Sequence, residues 1–329
     1  MQKKLIALAV AGMLAAPLAM AQSNVTIYGV FDIGLNYESS HATSGVKSRT
    51  ALDSGQQSGS RLGFRGTEDL GNGLKASFVI EYGLRPDLNE TLGTGGGATT
   101  RQSFLALSGD FGTVALGRQY TPQFNMIARM DPFGAGTAGN MANVYDWDTR
   151  LDNTVAYVSP NFSGLSVTVA HSMRAAGQEL AKDAGNAKVW AISPRYSNGP
   201  IDVQLNMHRI KSDLSGSTAT KVWDLAGSYD FGAVKAVAFY GSRKTNNVQD
   251  SRYWLLGATV PVSEAGSFKI SYVASKDKEP ASDVKENQWA IGYDHKLSAR
   301  TNVYSAFAKR SQDWVGYKNQ LTVGLRHMF

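Results

Sequence analysis

Short segments in which apolar and polar residues alternate recur along the whole chain, and they constrain the fold more than any other feature. The first covers residues 25–37 and a second covers residues 74–82. A period of two places successive side chains on opposite faces of a β-strand. The apolar faces carry Val25, Ile27, Phe31, Ile33 and Leu35 in one segment, and Leu74, Ala76, Phe78, Ile80 and Tyr82 in the other. Repeats of about ten residues with this pattern are typical of transmembrane β-barrels.

Two classes of connection separate these segments, and short and long connections alternate strictly. The short ones are rich in Gly, Asn, Asp and Pro, which suit tight hairpin turns: residues 68–73, 109–112, 159–164, 197–200, 229–232, 261–267 and 296–301. The long, polar ones cover approximately residues 38–58, 85–100, 119–151, 173–187, 211–220, 243–251, 277–286 and 311–318. These fifteen connections predict an all-β, sixteen-stranded antiparallel barrel whose two ends lie on the short-turn side.

A soluble β-sandwich is the alternative fold, because its strands also alternate. About 300 residues would normally form more than one such domain, and no linker or change in composition marks a boundary. A closed barrel pairs all of its backbone groups and can therefore lie in lipid. Beyond the first residues, the sequence has no apolar stretch long enough for a membrane-spanning helix. The single barrel is the better interpretation.

The first 21 residues have the order of a secretory signal peptide. Lys3 and Lys4 precede a short apolar run, and small residues at Ala19 and Ala21 provide a cleavage site. A membrane anchor would need about 20 apolar residues, and Pro17 interrupts the end of this run. We therefore predict a signal peptide at residues 1–21 and a barrel domain at residues 22–329. The predicted mature chain has 31 basic and 27 acidic residues, a net charge of +4, without a cluster typical of nucleic-acid binding.

Several blocks of the sequence resemble the general diffusion porins of β-proteobacteria. They are "NVTIYGVFDIGL" near the start, "SRLGFRGTEDLGNGLKASFVIEYG" at 60–83, "RQSFLALSGDFGTVALGRQ" at 101–119, "DNTVAYVSP" at 152–160 and the terminal "VGLRHMF". The resemblance implies a sixteen-stranded barrel of the Gram-negative outer membrane, usually a homotrimer. It also implies passive diffusion of small hydrophilic solutes and ions through each barrel.

A barrel of this size encloses a wide aqueous lumen, so selectivity requires something that narrows it. The longest connection, residues 119–151, matches in position the third long loop that folds inward in porins. By resemblance, Arg61, Arg101 and Arg150 correspond to the basic side of the constriction. We expect an acidic side at Asp131, near the centre of the loop, and at Glu81, on the inner face of its strand.

Two further basic residues have the parity of inward-facing side chains. With Leu62 and Phe64 facing outward, Arg65 faces the lumen, and so does Lys75 in the next strand. For these residues, and for Asp146 and Asp148, a solvated charge or a salt bridge that holds the loop is an equal alternative to a role in the pore. The net charge and the inward arginines together favour a weak preference for anions.

Two other function classes are alternatives to a channel. A barrel hydrolase would need a catalytic arrangement, but the five histidines are scattered and no Gly-x-Ser-x-Gly or His-Glu-x-x-His motif occurs. An adhesin would bind partners through the long loops, and their composition neither supports nor excludes this. The chain has no cysteine, and no cluster indicates a metal or an organic cofactor.

The chain ends in "QLTVGLRHMF", an alternating segment that runs to the last residue. We expect this strand to close the barrel by pairing with the first strand. By resemblance, Phe329 matches the C-terminal aromatic signal that the outer-membrane assembly machinery recognises. Its ring also suits an interface with membrane lipid.

Overall fold

The computed structural model describes residues 25–39, 47–88, 100–175, 186–279, 284–311 and 319–329. The predicted signal peptide at residues 1–21 lies outside the described residues, as do parts of five of the predicted long loops. None of the helices within the described ranges is long and apolar enough to cross a membrane.

The strands follow one another along the chain, with one helical segment between β6 and β7. The strands are β1 (Thr26–Glu38), β2 (Arg49–Ser54), β3 (Arg61–Gly71), β4 (Leu74–Gly83), β5 (Thr100–Gly109), β6 (Gly112–Tyr120), β7 (Arg150–Val158), β8 (Leu165–Ser172), β9 (Ala187–Asn198), β10 (Ile201–Ser212), β11 (Thr220–Asp230), β12 (Lys235–Thr245), β13 (Gln249–Pro261), β14 (Gly266–Asp277), β15 (Lys285–Lys296), β16 (Thr301–Ser311) and β17 (Asn319–Met328). The helical segment contains α1 (Pro122–Met130) and a 3₁₀ helix (Met141–Asn143).

Every strand pairs antiparallel with its neighbours, and the pairing closes into a ring. The ring closes where β17 pairs with β1, from Val30 opposite Met328 to Glu38 opposite Gln320. On its other edge, β1 pairs with β3 over residues 26–30 and with β2 over residues 33–38. β2 and β3 therefore share one position in the ring, which makes the predicted closed barrel of sixteen positions and confirms that prediction.

The alternation in the sequence corresponds to the two faces of the wall. In β1, Phe31 and Leu35 are 45% and 47% exposed, whereas Asp32 and Asn36, which follow them, are buried. β17 shows the same pattern, since Leu321 and Val323 are exposed and Thr322 is fully buried. Apolar side chains thus face outward and polar side chains face the interior, as a membrane barrel requires.

The connections confirm the predicted order of short turns and long loops, with one difference. Residues 49–54 were predicted as part of the first long loop, but they form β2 and continue the pairing along β1. In the break between β2 and β3, residues 55–60, the backbone contacts the inward-facing side chain of Asp32. Its contacts are to residues distant in the chain, so a local pattern could not predict it.

Candidate functional site

The three arginines expected on the basic side come together from alternate strands of one part of the wall. Arg61 begins β3, Arg101 lies at the start of β5 and Arg150 begins β7. The Tyr120 hydroxyl accepts hydrogen bonds from Nη2 of Arg101 at 2.8 Å and from Nη2 of Arg150 at 3.2 Å. The Arg150 guanidinium also lies 4.6 Å from the centre of the Tyr120 ring, a cation–π contact. Tyr120 therefore organises two of the three guanidinium groups.

Glu81 lies within this basic cluster and not opposite to it, which corrects the sequence-based expectation. Its Oε1 is 3.5 Å from Nε of Arg61, and its Oε2 is 3.9 Å from Nε of Arg101. The Tyr28 hydroxyl donates a further hydrogen bond to Oε1 at 3.0 Å. The reason is the strand register: β3 and β5 flank β4, and an irregularity at Ile80–Tyr82 shifts the pairing with β5. Arg61 and Arg101 contact this carboxylate, and Arg150 joins them through Tyr120, so three guanidinium groups and one carboxylate give the cluster a net charge of +2.

The break between β2 and β3 makes room for the cluster. The carbonyl of Gly59 accepts a hydrogen bond from Nη1 of Arg61 at 3.0 Å. A Cβ atom on Gly59 would lie 2.6 Å from Nη1 of Arg101, so any side chain there would displace that guanidinium. Glycine at this position therefore leaves space for the Arg101 guanidinium where it lies now.

The loop between Tyr120 and Arg150 packs against side chains on the inner face of the wall. Thr121 caps α1 by accepting a hydrogen bond from the Phe124 backbone N–H at 2.9 Å, and Pro122 occupies the first turn. The buried contacts join loop residues to strand residues of β11–β14: Met126, Ile127, Met130, Met141, Val144 and Tyr145 with Ala226, Val237, Phe239, Tyr253, Leu255 and Val273. In β12, Phe239 is buried, whereas its neighbour Tyr240 is exposed. The apolar residues of the loop, unusual for a surface loop, are therefore accounted for.

The structure places Asp131 inside the loop, which corrects the expectation that its carboxylate faces the basic cluster. The side chain is only 4% exposed. It accepts backbone hydrogen bonds from Phe133 at 2.9 Å, Ala135 at 3.2 Å and Met141 at 3.1 Å. Burial raises the pKa of Asp131 to about 6, although these hydrogen bonds act in the opposite direction. Its carboxylate holds the turn that follows α1.

A second buried carboxylate, Asp224 on β11, anchors the loop to the wall, and the sequence analysis did not identify it. It accepts hydrogen bonds from the Tyr145 hydroxyl at 2.5 Å and from Nε2 of Gln123 at 2.9 Å. Nδ2 of Asn206 on β10 donates a third at 3.0 Å. Inward parity was the only signal in the sequence, because its partners are up to 101 residues away.

Asp148 forms a salt bridge between the loop and the wall. The sequence had left this role and a role in the pore as equal alternatives. Its Oδ2 lies 3.2 Å from Nη1 of Arg243 and 3.4 Å from Nε2 of His208. Burial would raise the pKa of Asp148, but the hydrogen bond with His208 and the charge of Arg243 outweigh it and hold the pKa below its usual value.

Asp32 anchors the break between β2 and β3, and it is also a residue that the sequence analysis did not identify. The carboxylate accepts hydrogen bonds from the backbone N–H groups of Gln57 at 2.7 Å and Ser58 at 2.6 Å. The Tyr304 hydroxyl donates a third at 2.5 Å. A Cβ atom on Gly324 would lie 2.3 Å from this hydroxyl, so glycine is needed where the Tyr304 ring crosses β17.

The remaining predicted residues lie closer to the short turns. Arg65 is exposed, with its guanidinium 4.9 Å from the centre of the Tyr28 ring. Lys75 is exposed near the turn that joins β3 to β4 and stands opposite Asp69. Phe329 is 45% exposed and exchanges backbone hydrogen bonds of 3.0 and 3.1 Å with Gly29 of β1. Neither basic side chain joins the arginine cluster in these contacts.

No group of three or more metal-binding side chains gathers within the described ranges of the chain. The described histidines instead have other partners. His171 stacks on Trp190 with 3.8 Å between ring centres, and His208 contacts Asp148. Nδ1 of His295 lies 3.1 Å from the Tyr293 hydroxyl, and Nδ1 of His327 lies 2.9 Å from Oγ1 of Thr301.

Comparison with known proteins gives consistent matches over most of the chain. The family model described as Gram-negative porin matches residues 7–313. The chain is 33% identical to outer membrane porin protein 32 of Delftia acidovorans, over 99% of this chain and 93% of that protein. It is 30% identical to an outer membrane porin protein of Bordetella pertussis, over the full length of both.

Solved structures agree in fold. The anion-selective porin from Comamonas acidovorans matches with a TM-score of 0.79 and 30% identity, over 93% of this chain and 100% of that one. Outer-membrane-expressed OmpT of Vibrio cholerae matches with a TM-score of 0.70 over 93% of this chain and 98% of that one. Its 15% identity makes this a likeness of fold alone.

Proposed function

The chain belongs to the Gram-negative porin family and is an outer-membrane channel for passive diffusion of small hydrophilic solutes and ions, and we propose that Arg61, Arg101 and Arg150 set its ion selectivity. The observation that supports this role is the clustering of three guanidinium groups, of which two contact the Glu81 carboxylate and two donate hydrogen bonds to the Tyr120 hydroxyl. A net charge of +2 beside the path of ions raises the local concentration of anions.

The loop at residues 121–149 narrows the channel in this proposal. Its apolar side chains pack on the inner face of β11–β14, and Asp148 and Gln123 tie it to Arg243 and Asp224. The arginine cluster lies on β3, β5 and β7, on another part of the wall. Solutes therefore pass between the loop and the cluster.

The proposed selectivity is a preference for anions. The relative from Comamonas acidovorans, 30% identical, is named an anion-selective porin, which supports the same sign here. The acidic side expected from the sequence does not include Glu81 or a free Asp131 carboxylate, so less negative charge opposes the cluster. Arg65 and Lys75 add positive charge nearer the short turns.

The test is the reversal potential of single channels in a planar bilayer under a salt gradient. We expect the double variant Arg101→Gln and Arg150→Gln to lose anion preference, by roughly twofold in permeability ratio for each charge removed. Arg300→Gln, in the exposed turn between β15 and β16, is the matched control and should leave the ratio unchanged. Equal ratios in the wild type and the double variant would contradict the role of the cluster.

Four further features are part of the proposal. The chain is exported with a signal peptide at residues 1–21 that is then cleaved, and the assembly machinery recognises Phe329.

The protein forms a homotrimer in the lipid of the outer membrane. The exposed apolar side chains Phe31, Leu35, Leu105 and Leu107 support an interface between its copies. A related barrel of Vibrio cholerae is described in a trimer form. The chain has no catalytic activity, consistent with relatives that are channels.

A further inference from the structure

Two glycines of the wall make room for the tip of the long loop. The loop tip consists of Pro132 and Phe133, which directly follow Asp131, and both side chains are buried. A Cβ atom on Gly257 of β13 would lie 2.5 Å from Cγ of Pro132, and one on Gly292 of β15 would lie 2.7 Å from Cε1 of Phe133. Carbon atoms in ordinary contact are about 3.5–4.0 Å apart. The loop tip therefore lies closer to the wall than any other residue at these two positions would allow.

The backbone of the strands does not explain these two glycines. Both lie inside long strands, and neither has a positive φ. Leu255 and Ala290, two residues earlier in the same strands, are buried beneath the loop, so parity places Gly257 and Gly292 on the inner face. Glycine inside a strand weakens the sheet, and it often marks a site where another segment approaches closely. Here the approaching segment is the loop tip.

The loop tip is held in one conformation. The Asp131 carboxylate accepts a hydrogen bond from the Phe133 backbone N–H at 2.9 Å, and the ring of Pro132 fixes its own φ. The Phe133 ring also lies against Gly139 of the loop, where a Cβ atom would overlap it. A side chain added at Gly257 would therefore move the tip as a whole, by about 1 Å before ordinary contact is restored.

The side of the loop that faces away from the wall carries short side chains. In α1, Met126 and Ile127 are buried against the wall, whereas Asn125 is exposed and Ala128 is partly exposed. Gly134, directly after the loop tip, is exposed as well. Because these side chains are short, they leave the width of the passage to be set by how close to the wall the loop lies.

We propose that Gly257 and Gly292 are positioning residues that set the width of the passage, because they let the loop tip lie directly on the wall. The inference rests on the proposed role of the loop in narrowing the channel. The two glycines lie on either side of β14, so they seat the tip at two points. The property that they determine is selectivity by solute size, which is separate from the selectivity by charge that is proposed for the arginine cluster.

The test uses neutral sugars, whose passage depends on width and not on charge. The full-length barrel is reconstituted in vesicles to compare swelling rates in a disaccharide and in a pentose, and in planar bilayers to measure single-channel conductance. We expect Gly257→Ala to lower the ratio of disaccharide to pentose rates by roughly twofold and the conductance by roughly a fifth. Gly227→Ala on β11 is the matched control, because its Cβ atom would lie 3.5 Å from Cγ2 of Val203, an ordinary contact. Both values should then stay those of the wild type.

A second substitution separates a narrower passage from a weakened strand. Pro132→Ala removes Cγ and Cδ, the two atoms nearest to the methyl group that Gly257→Ala adds. The double variant should therefore recover the wild-type ratio and conductance, whereas a weakened strand would not be repaired from the loop. Phe133→Trp enlarges the loop tip at the other glycine and leaves every strand residue unchanged. We expect it to lower both values in the same direction.

Unchanged or raised values in Gly257→Ala, or no recovery in the double variant, would overturn the proposal. If Gly257→Ala does not insert, Phe133→Trp decides, and unchanged values there overturn it as well. Asn125→Trp adds bulk on the face of α1 that points away from the wall. If Asn125→Trp lowers both values and Gly257→Ala does not, the loop narrows the channel but the glycines do not set its depth. If neither variant lowers them, the proposed role of the loop is wrong too.

Discussion

Glu81 is the residue on which the charge of the channel depends most directly. It is 5% exposed and touches two of the three arginines, so its carboxylate offsets part of their charge and also holds their geometry. In the proposed function, the selectivity of the channel is a balance between this buried anion and the cations around it. A change at Glu81 should therefore alter selectivity without altering the barrel.

We expect Glu81→Gln to increase anion preference. The substitution keeps the shape of the side chain and its hydrogen bond with Tyr28, but it raises the net charge of the cluster by one. One elementary charge about 8 Å from an ion in water is worth roughly 0.5 kcal/mol, about a twofold change in permeability ratio. Reversal potentials measure it, with Glu264→Gln in an exposed turn as the control. A shift toward cations would show that Glu81 acts mainly by positioning the arginines.

Asp131 makes the stability of the folded loop depend on pH. Its pKa in the folded protein is about 6, above the usual value of 3.8, because burial penalises the charged form. Because the folded protein holds this proton more tightly than the unfolded chain, Asp131 contributes fully to the stability of the fold below about pH 4. This contribution is lost as the pH rises through about 6. Since one pKa unit is worth about 1.4 kcal/mol, the difference is on the order of 3 kcal/mol.

We expect Asp131→Asn to reduce the loss of stability of the detergent-solubilised protein between pH 4 and pH 7. Asparagine cannot ionise, so the part of the pH dependence that comes from this site disappears. Thermal unfolding at both pH values measures the effect, with Asp110→Asn in an exposed turn as the control. Identical pH dependence in the wild type and Asp131→Asn would contradict the burial of a titrating carboxylate.

At the scale of elements, the break between β2 and β3 shows how buried polar contacts shape the wall. Asp32 and Tyr304 come from β1 and β16, which lie on either side of β17, and together they hold residues 55–60. The Gln57 side chain extends the contact by accepting a hydrogen bond from Nδ2 of Asn302 at 2.9 Å. The backbone of Gln56 in turn contacts that of Thr137 in the loop. The break and the long loop therefore support each other.

We expect Tyr304→Phe to destabilise this element by about 1–3 kcal/mol, because the buried Asp32 carboxylate loses one of its three hydrogen bonds. Amide hydrogen exchange at Gln57 and Ser58 should become faster, and thermal unfolding should occur at a lower temperature. Tyr157→Phe is the matched control, since it removes a hydroxyl that donates to the Phe111 carbonyl at an exposed site. Its cost should stay below about 0.5 kcal/mol. Unchanged exchange in Tyr304→Phe would contradict the anchoring role.

The elements differ in how far the sequence predicts them. Strand boundaries and the order of turns follow from alternation and turn residues, which are local, and they agree with the structure. The positions of Glu81 and Asp131 depend on strand register and on the fold of the loop, and local patterns do not contain that information. β2 is six residues long within a polar stretch, too short to be separated from a loop by its own pattern.

At the scale of the whole molecule, the barrel has two different outer sides. The side around β1 carries exposed apolar residues such as Phe31 and Leu35, whereas the side from β9 to β16 carries exposed cations such as Lys188 and Lys221 beside the long loops. In the proposed function, one closed wall combines a surface for contact with other copies and a channel with a positive lining. The interior contacts of the loop are compatible with both outer sides because they lie on the other face of the same strands.

Phe329, the last residue, takes part in the pairing of β17 with β1 that closes the barrel. Phe329 exchanges two backbone hydrogen bonds with Gly29, and a Cβ atom on Gly29 would lie 2.4 Å from the Phe329 ring. The glycine thus lets the ring lie against β1 on the outside. We expect deletion of Phe329 to reduce the stability of the closed barrel by about 2 kcal/mol, because two backbone hydrogen bonds between β17 and β1 are lost. The fraction of protein that assembles should therefore fall.

The conductance of barrels that do assemble should not change, because Phe329 is exposed on the outer face and the arginine cluster lies inside. Phe329→Ala keeps the backbone pairing and removes the ring, whereas Phe329→Tyr keeps both. If recognition of the ring directs assembly, Phe329→Ala should lower the outer-membrane yield in cells as much as the deletion, while refolding in vitro falls only for the deletion. Equal yields in cells for the wild type, Phe329→Ala and the deletion would show that neither the ring nor its pairing with Gly29 is needed to close the barrel.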